Sequence, residues 1–268
     1  MGKVIGIISI KGGVGKTSCT ANLGAALAGE FNQKVLVVDA NFTAPNLAFH
    51  LGLADPDVTL HDVLSNKVQP HKAIFAYEKN LHILPGSLLR YRVNPFKLRE
   101  KIYKLRSDYD IILLDSSPNL NDELLATMLA ADELLVITSP DFPTLSCTMH
   151  AIKIAKEKKT PIVGLILNRV HNRSFELSLE EIEKTTGVPV IGFIPEDINV
   201  LESLAATSPA TLYSPSSPSS VEFKKIAAAL VHQDYADPRF FARLKKWFSS
   251  IPQKQEINRD LLREGKLY

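Results

Sequence analysis

The seven residues Lys11-Gly12-Gly13-Val14-Gly15-Lys16-Thr17 constrain this chain more than any other stretch. They follow an apolar, β-branched run at Lys3–Ile10 and precede a run of small, helix-compatible residues at Thr17–Ala28. A glycine-rich turn between a strand covered on both faces and a helix is what a phosphate-binding loop requires. Glycines let backbone N–H groups turn inward on phosphate oxygens, and the helix N-terminus adds its positive dipole. Lys16 is then placed to reach the β- and γ-phosphates and Thr17 to ligate Mg2+. One position departs from the general pattern G-x-x-x-x-G-K-[ST]: Ile10 stands where the first glycine belongs.

The rest of the chain repeats the alternation of strand and helix. Lys34–Asp39, Leu81–Leu84, Asp110–Asp115, Glu133–Thr138, Ile162–Leu167 and Val188–Ile194 read as short strands. Helices are predicted over Asn94–Leu105, Asn121–Ala131, Leu145–Glu157 and Phe175–Lys184. This order predicts an α/β fold, a doubly wound, mainly parallel sheet flanked by helices. With 268 residues, 45% hydrophobic and 22% charged, the chain has the length for a large core and the composition of a globular domain. Ser208–Ser220 reads as a surface loop, an ordered connection lying across the domain, ahead of a helix at Val221–Val231. From His232 the core alternation stops, which divides the chain into a domain at 1–231 and a tail at 232–268.

Composition also limits the function classes. A net charge of +2 gives no global reason to expect a nucleic-acid partner. No apolar run reaches the length of a spanning helix, and Met1–Ile10 lacks a basic leader, so a soluble, cytosolic protein is expected. Cys19 and Cys147 are too few and too far apart for a disulfide framework or a CxxC metal site. The histidines lack ligand spacing and read as surface or packing residues. Two apolar strands end in aspartate, at Asp39 and Asp115, where the crevice of an open α/β sheet receives its ligand.

The second lysine of the loop, Lys11, makes KGGVGKT similar to the deviant Walker A loop of the MinD/ParA family of ATPases, MinD proteins above all. The likeness runs from about Gly2 to Leu230. It implies binding of ATP or ADP with Mg2+ by Lys11, Gly12, Gly13, Val14, Gly15, Lys16, Thr17 and Ser18. It further implies that Lys11 reaches the nucleotide of a partner subunit, so that ATP holds a homodimer face to face. A fixed cation at the γ-phosphate stabilises charge that develops during phosphoryl transfer. By the same resemblance Asp115 is the Walker B residue, holding Mg2+ through water, Thr17 and Asp39 complete the metal set, and Ser116–Leu120 is switch II. Asp39–Leu47 is switch I. Asn168 and Arg169 would flank adenine on one side, and Pro195, Glu196 and Asp197 on the other.

Position 41 departs from the family. Relatives carry D-x-D, the second carboxylate orienting the attacking water, and this chain has Asp39-Ala40-Asn41. Asparagine can bond a water through its carbonyl oxygen but cannot take its proton at neutral pH. Catalysis is therefore expected from Lys11, Lys16, Asp39 and Asn41, and it is expected to be slow.

In the tail, Phe240, Phe241, Leu244, Trp247, Phe248 and Ile251 recur at helical spacing, with Arg239, Arg243, Lys245 and Lys246 beside or opposite them. A helix at about 239–251 with aromatics on one side and cations on the other suits an anionic lipid interface. It resembles the C-terminal membrane-targeting helix of MinD, although Pro252–Tyr268 follows it here. The expected protein is thus an ATP-dependent homodimer on the inner face of the cell membrane, positioning division or other machinery through an activator or cargo protein. A ParA-type partner of nucleic acid, a metal-cluster carrier and a nucleotide-bound scaffold without turnover are the competing readings. The balanced charge lends nothing to the first, and the cysteines do not pair for the second.

Overall fold

The computed structural model describes residues 1–89, 92–239 and 253–267. Among these residues eight strands form a single sheet in the order β3-β4-β2-β5-β1-β6-β7-β8. They are β1 (Lys3–Ile8), β2 (Val35–Ala40), β3 (Phe75–Glu78), β4 (Leu81–Leu84), β5 (Ile111–Ser116), β6 (Glu133–Thr138), β7 (Ile162–Val170) and β8 (Val190–Pro195). All neighbours run parallel except β3, which returns antiparallel along β4 at one edge. The predicted strands are present within a few residues of their expected ends. β3 was not foreseen, because its half-exposed sequence FAYE has no apolar run to announce it.

Side-chain alternation explains why the sheet is covered twice. Val35 and Val37 point into the core beneath α1 (Lys16–Glu30), while Leu36 and Val38 join the opposite core. The short α2 (Leu47–His50) joins α1 on the first face, while on the second lie α3 (Leu60–Leu64), α4 (Leu98–Tyr103), α5 (Asp122–Ala130), α6 (Phe142–Glu157) and α7 (Leu179–Thr186). α1 is built almost wholly of small residues, and it lies so close to β2 that a Cβ at Gly24 would come 2.7 Å from Val37. The remaining helices are α8 (Ile198–Ala205), α9 (Ala210–Tyr213), α10 (Pro218–Leu230) and α11 (Lys254–Arg263).

Two stretches differ from their sequence reading. Ser208–Ser220 is not only surface loop: it contains α9 and the start of α10, and Ser217, Ser219 and Ser220 are buried. Ser217 Oγ caps α10 by accepting from Ser220 N, and Ser219 Oγ donates to Asp197 at 2.7 Å. The tail is also not all appendage. α11 docks on α10 and covers the edge strand β8, with Asn258 Nδ2 donating to Val190 O at 2.8 Å and Arg259 paired to Glu222 at 2.8 Å. Such cover protects an edge that would otherwise expose unpaired backbone groups. The aromatic stripe Phe240, Phe241, Leu244, Trp247, Phe248 and Ile251 lies outside the described residues.

Candidate nucleotide site

Strand register assembles the site. β1 delivers the glycine loop at its C-terminal end, and β2 and β5 run side by side with Asp39 opposite Asp115. Both carboxylates are fully buried at the crevice end of the sheet, as the switch point of a doubly wound fold requires.

The loop has the form of an anion cradle. Gly13 and Gly15 have φ of 78° and 88°, the left-handed region that a side chain would strain. A Cβ on Gly12 or Gly13 would meet nothing within 4 Å, so the loop is open where phosphate oxygens enter. Gly15 also lets Asn168 approach: a Cβ there would stand 2.2 Å from its amide nitrogen. α1 begins at Lys16 with no side-chain cap and no acidic residue in its first turn, leaving its N–H groups to an anion.

Beneath the cradle Lys16 Nζ lies 3.3 Å from Asp115 Oδ1, both groups buried. Thr17 Oγ1 stands 2.7 Å from Asp115 Oδ2 and 3.0 Å from Asn46 Oδ1, and its single proton serves one of them at a time. Asp39 Oδ2 accepts from the backbone N–H groups of Asn46 and Leu47 at 2.8 and 2.9 Å. Burial, and then the neighbouring Asp115 carboxylate, push the Asp39 carboxyl up to about 7, against the backbone N–H groups of Leu47 and Asn41. Two carboxylates and a hydroxyl are hard oxygen donors suited to Mg2+, and with the open cradle they fit a magnesium nucleotide. Burial and then Asp115 also push the Cys19 thiol up to about 12, which keeps it protonated.

Asn41 is buried and committed locally. Its Nδ2 donates to Ala44 O at 2.6 Å and its Oδ1 accepts from Ala44 N at 3.3 Å, so both ends of the amide hold the switch I turn. Lys11 reaches to α6. Its Nζ is 2.6 Å from Thr144 Oγ1 and 3.3 Å from Asp141 Oδ1, at the N-terminus of α6. Burial works against ionising Asp141, but hydrogen bonds from Ser139, Thr144 and Lys11 outweigh it and hold the carboxyl at about 2.

The residues expected around the base divide. Asn168 Nδ2 donates to Val14 O at 2.7 Å and braces the loop, while Arg169 is exposed at φ 56°, where the β7–β8 register shifts. Pro195 and Glu196 line an open cavity of about 740 Å³, which Gln253 and Gln255 of the chain's end also line. Asp197 turns elsewhere: it caps α8 through Asn199 N at 3.0 Å and holds Ser219 of α10. Sequence reading missed Asn46 and His50, which join switch I to the first turn of α1. Asn46 falls inside the switch segment, but its tertiary partner leaves no spacing signal.

Comparison with known proteins agrees with this geometry. The profile of the CobQ/CobB/MinD/ParA nucleotide binding domain matches residues 5–210. An uncharacterized ATP-binding protein of Methanocaldococcus jannaschii is 37% identical over 257 residues, covering 95% of both chains. The septum site-determining protein MinD of Synechocystis sp. is 30% identical over 243 residues, covering 87% of this chain and 91% of its own. The septum site-determining protein MinD of Pyrococcus horikoshii, solved with Mg-ADP, superposes with a TM-score of 0.81 at 34% identity, covering 94% of this chain and all of its own. With its open glycine cradle, buried lysine and paired aspartates, the chain belongs to the CobQ/CobB/MinD/ParA family of nucleotide-binding proteins, and within it resembles MinD.

Proposed function

We propose that this protein is a MinD-like ATPase that binds Mg-ATP, dimerises face to face, hydrolyses the nucleotide slowly and docks on an anionic membrane. The observation that carries the reading is the division of labour between the two lysines. Lys16 sits under the cradle against Asp115, whereas Lys11, 39% exposed, is engaged on its rim by Asp141 and Thr144. A rim cation held by a polar latch supports a role toward a nucleotide other than its own. In a dimer Lys11 leaves Asp141 for the partner's γ-phosphate, while Lys16 and the first turn of α1 hold the β- and γ-phosphates in cis. Thr17, Asp39 and Asp115 would hold Mg2+, which when bound neutralises phosphate oxygens. Asn41 faces Ala44 in place of a water, which supports low turnover. Asn168, Arg169, Pro195 and Glu196 remain the proposed walls of the base pocket, and Asp197 serves them as a brace.

The membrane part rests on the aromatic-basic stripe in the sequence, from Phe240 to Ile251. The chain is fastened on both sides of it: Asp237 pairs with Lys225 of α10 at 3.6 Å, and α11 is docked by Arg259 and Asn258. Two such segments in an ATP dimer add through effective concentration, so affinity for lipid rises with ATP. Because α11 seals the β8 edge, substitution tests this better than truncation. Trp247→Glu with Phe248→Glu is expected to abolish ATP-dependent co-sedimentation with phosphatidylglycerol vesicles while Mg-ATP binding persists. Undiminished sedimentation of that variant would refute the assignment. Equal co-sedimentation of the wild type with DNA would favour the nucleic-acid reading instead.

A further inference from the structure

Switch I is tied to the head of α1 by an imidazole to which the family resemblance gives no role. His50, the last residue of α2, places Nδ1 3.1 Å from Asn46 O and Nε2 3.3 Å from Ser18 Oγ. A carbonyl oxygen can only accept, so Nδ1 carries the ring proton. In the neutral ring Nε2 is then a lone pair, and the Ser18 hydroxyl must donate to it. The hydroxyl has one proton, and here that proton is directed at His50. The same side of Asn46 is fixed from behind, its N–H donating to Asp39 and its side-chain oxygen lying 3.0 Å from the Thr17 hydroxyl.

Ser18 stands in the first turn of α1, where the phosphate group of a nucleotide arrives. A phosphate oxygen against Ser18 competes for the proton that His50 holds. If the serine simply turns, the Nε2 lone pair loses its partner. If the ring takes a proton from solvent, Nδ1–H and Nε2–H both donate, Ser18 Oγ accepts, and its own proton is released to the phosphate. The second exchange loses no hydrogen bond and adds a cation beside the incoming anion.

We propose that His50 is a positioning residue of the nucleotide site, which couples occupation of the phosphate cradle at Ser18 to protonation of its imidazole. The charged groups on the elements around the ring are engaged elsewhere or stand in solvent. On α1, Lys16 points at Asp115 and Glu30 pairs with Lys224; on β2, Asp39 accepts from the backbone of Asn46 and Leu47; on α8, Glu202 is exposed. The inference rests on nucleotide binding at this cradle and is independent of dimerisation and membrane docking.

The test is calorimetric titration of the full chain with Mg-ADP from pH 6 to 8.5, in buffers of different ionisation enthalpy that count protons. The wild type is expected to take up more protons per nucleotide than His50→Gln, by up to one. Its affinity is expected to gain on that of the variant as pH falls, by at most about tenfold per pH unit. Glutamine can donate to Ser18 without titrating, so it keeps the contact and removes only the proton. Ser18→Ala, which deletes the contested hydroxyl, is expected to lose the same extra uptake and to bind more weakly. Wild-type proton counts and pH profile in His50→Gln would overturn this proposal alone. Failure of the wild type to bind Mg-ADP would overturn the nucleotide reading and this proposal with it.

Discussion

Asn41 shows how one side chain can hold a loop and withhold a function. An aspartate there cannot donate to Ala44 O, and its carboxylate would face that carbonyl at the 2.6 Å the amide now occupies. It would also join the buried Asp39 and Asp115. Asn41→Asp is therefore expected to lower the stability of the nucleotide-free protein by about 1–3 kcal/mol, read from denaturant unfolding. With Mg-ATP bound, the freed carboxylate can turn toward water, and phosphate release should rise above that of the parent. A variant that is folded yet no faster would place water activation on another group, with Asn119 and Asn121 of the switch II region the first to test. At this scale the sequence displayed Lys11, Lys16, Thr17, Asp39 and Asp115 openly, because loop spacing and strand ends position them. It did not display the contacts of Asn46, His50 or Asp197, whose partners lie 29, 32 and 22 residues away along the chain.

Among the elements, α11 is one that hydrophobic patterning could not announce. Its sequence KQEINRDLLR is mostly polar, and it docks chiefly through polar groups: Asn258 to Glu183 and Val190 O, Arg259 to Glu222, and Lys254 to Glu183. Burial works against ionising Glu222, but Arg259 and Lys225 outweigh it and hold its pKa below the usual carboxylate value. A folded-state pKa below the unfolded one, near 4.3, means that this pair contributes fully above that pH. The contribution is lost as pH falls through the lower folded value. Arg259→Ala strips a buried carboxylate of its main partner and is expected to cost about 3 kcal/mol at pH 7. The deficit should narrow as pH falls through the lowered folded value of Glu222, where the carboxyl becomes protonated in the wild type as well; scanning calorimetry of the pair across pH checks it, and a pH-independent gap would deny the ion pair its role. The central strands were legible because continuous apolar runs buried on both faces leave few other placements. β3 and α9 were not, since four half-buried residues carry no period.

For the whole molecule, the sheet order sets what the surface can do. β1 lies between β5 and β6, so the glycine loop, both aspartates and the Lys11 latch emerge at one end of the sheet. The switch segments and the start of α6 surround that end, and in the proposed dimer they would form the face that closes over nucleotide. The edge strand at the far side is sealed by α11. The doubly wound fold and the phosphate site were readable from the alternation of strands and from one loop. How the tail's end returns to the domain was not, because that docking depends on side-chain pairs across more than 30 residues.

The account turns on Lys11 acting across a dimer, and molar mass measured by light scattering at saturating nucleotide tests it most directly. Wild-type protein with Mg-ATP is expected to double from 29.6 kDa and to remain single with Mg-ADP. Lys16→Ala is expected to stay single for want of nucleotide, and Lys11→Ala to bind ATP yet stay largely single. A wild type that keeps the one-subunit mass in Mg-ATP, or a Lys11→Ala variant that doubles as fully as the wild type, would contradict the account.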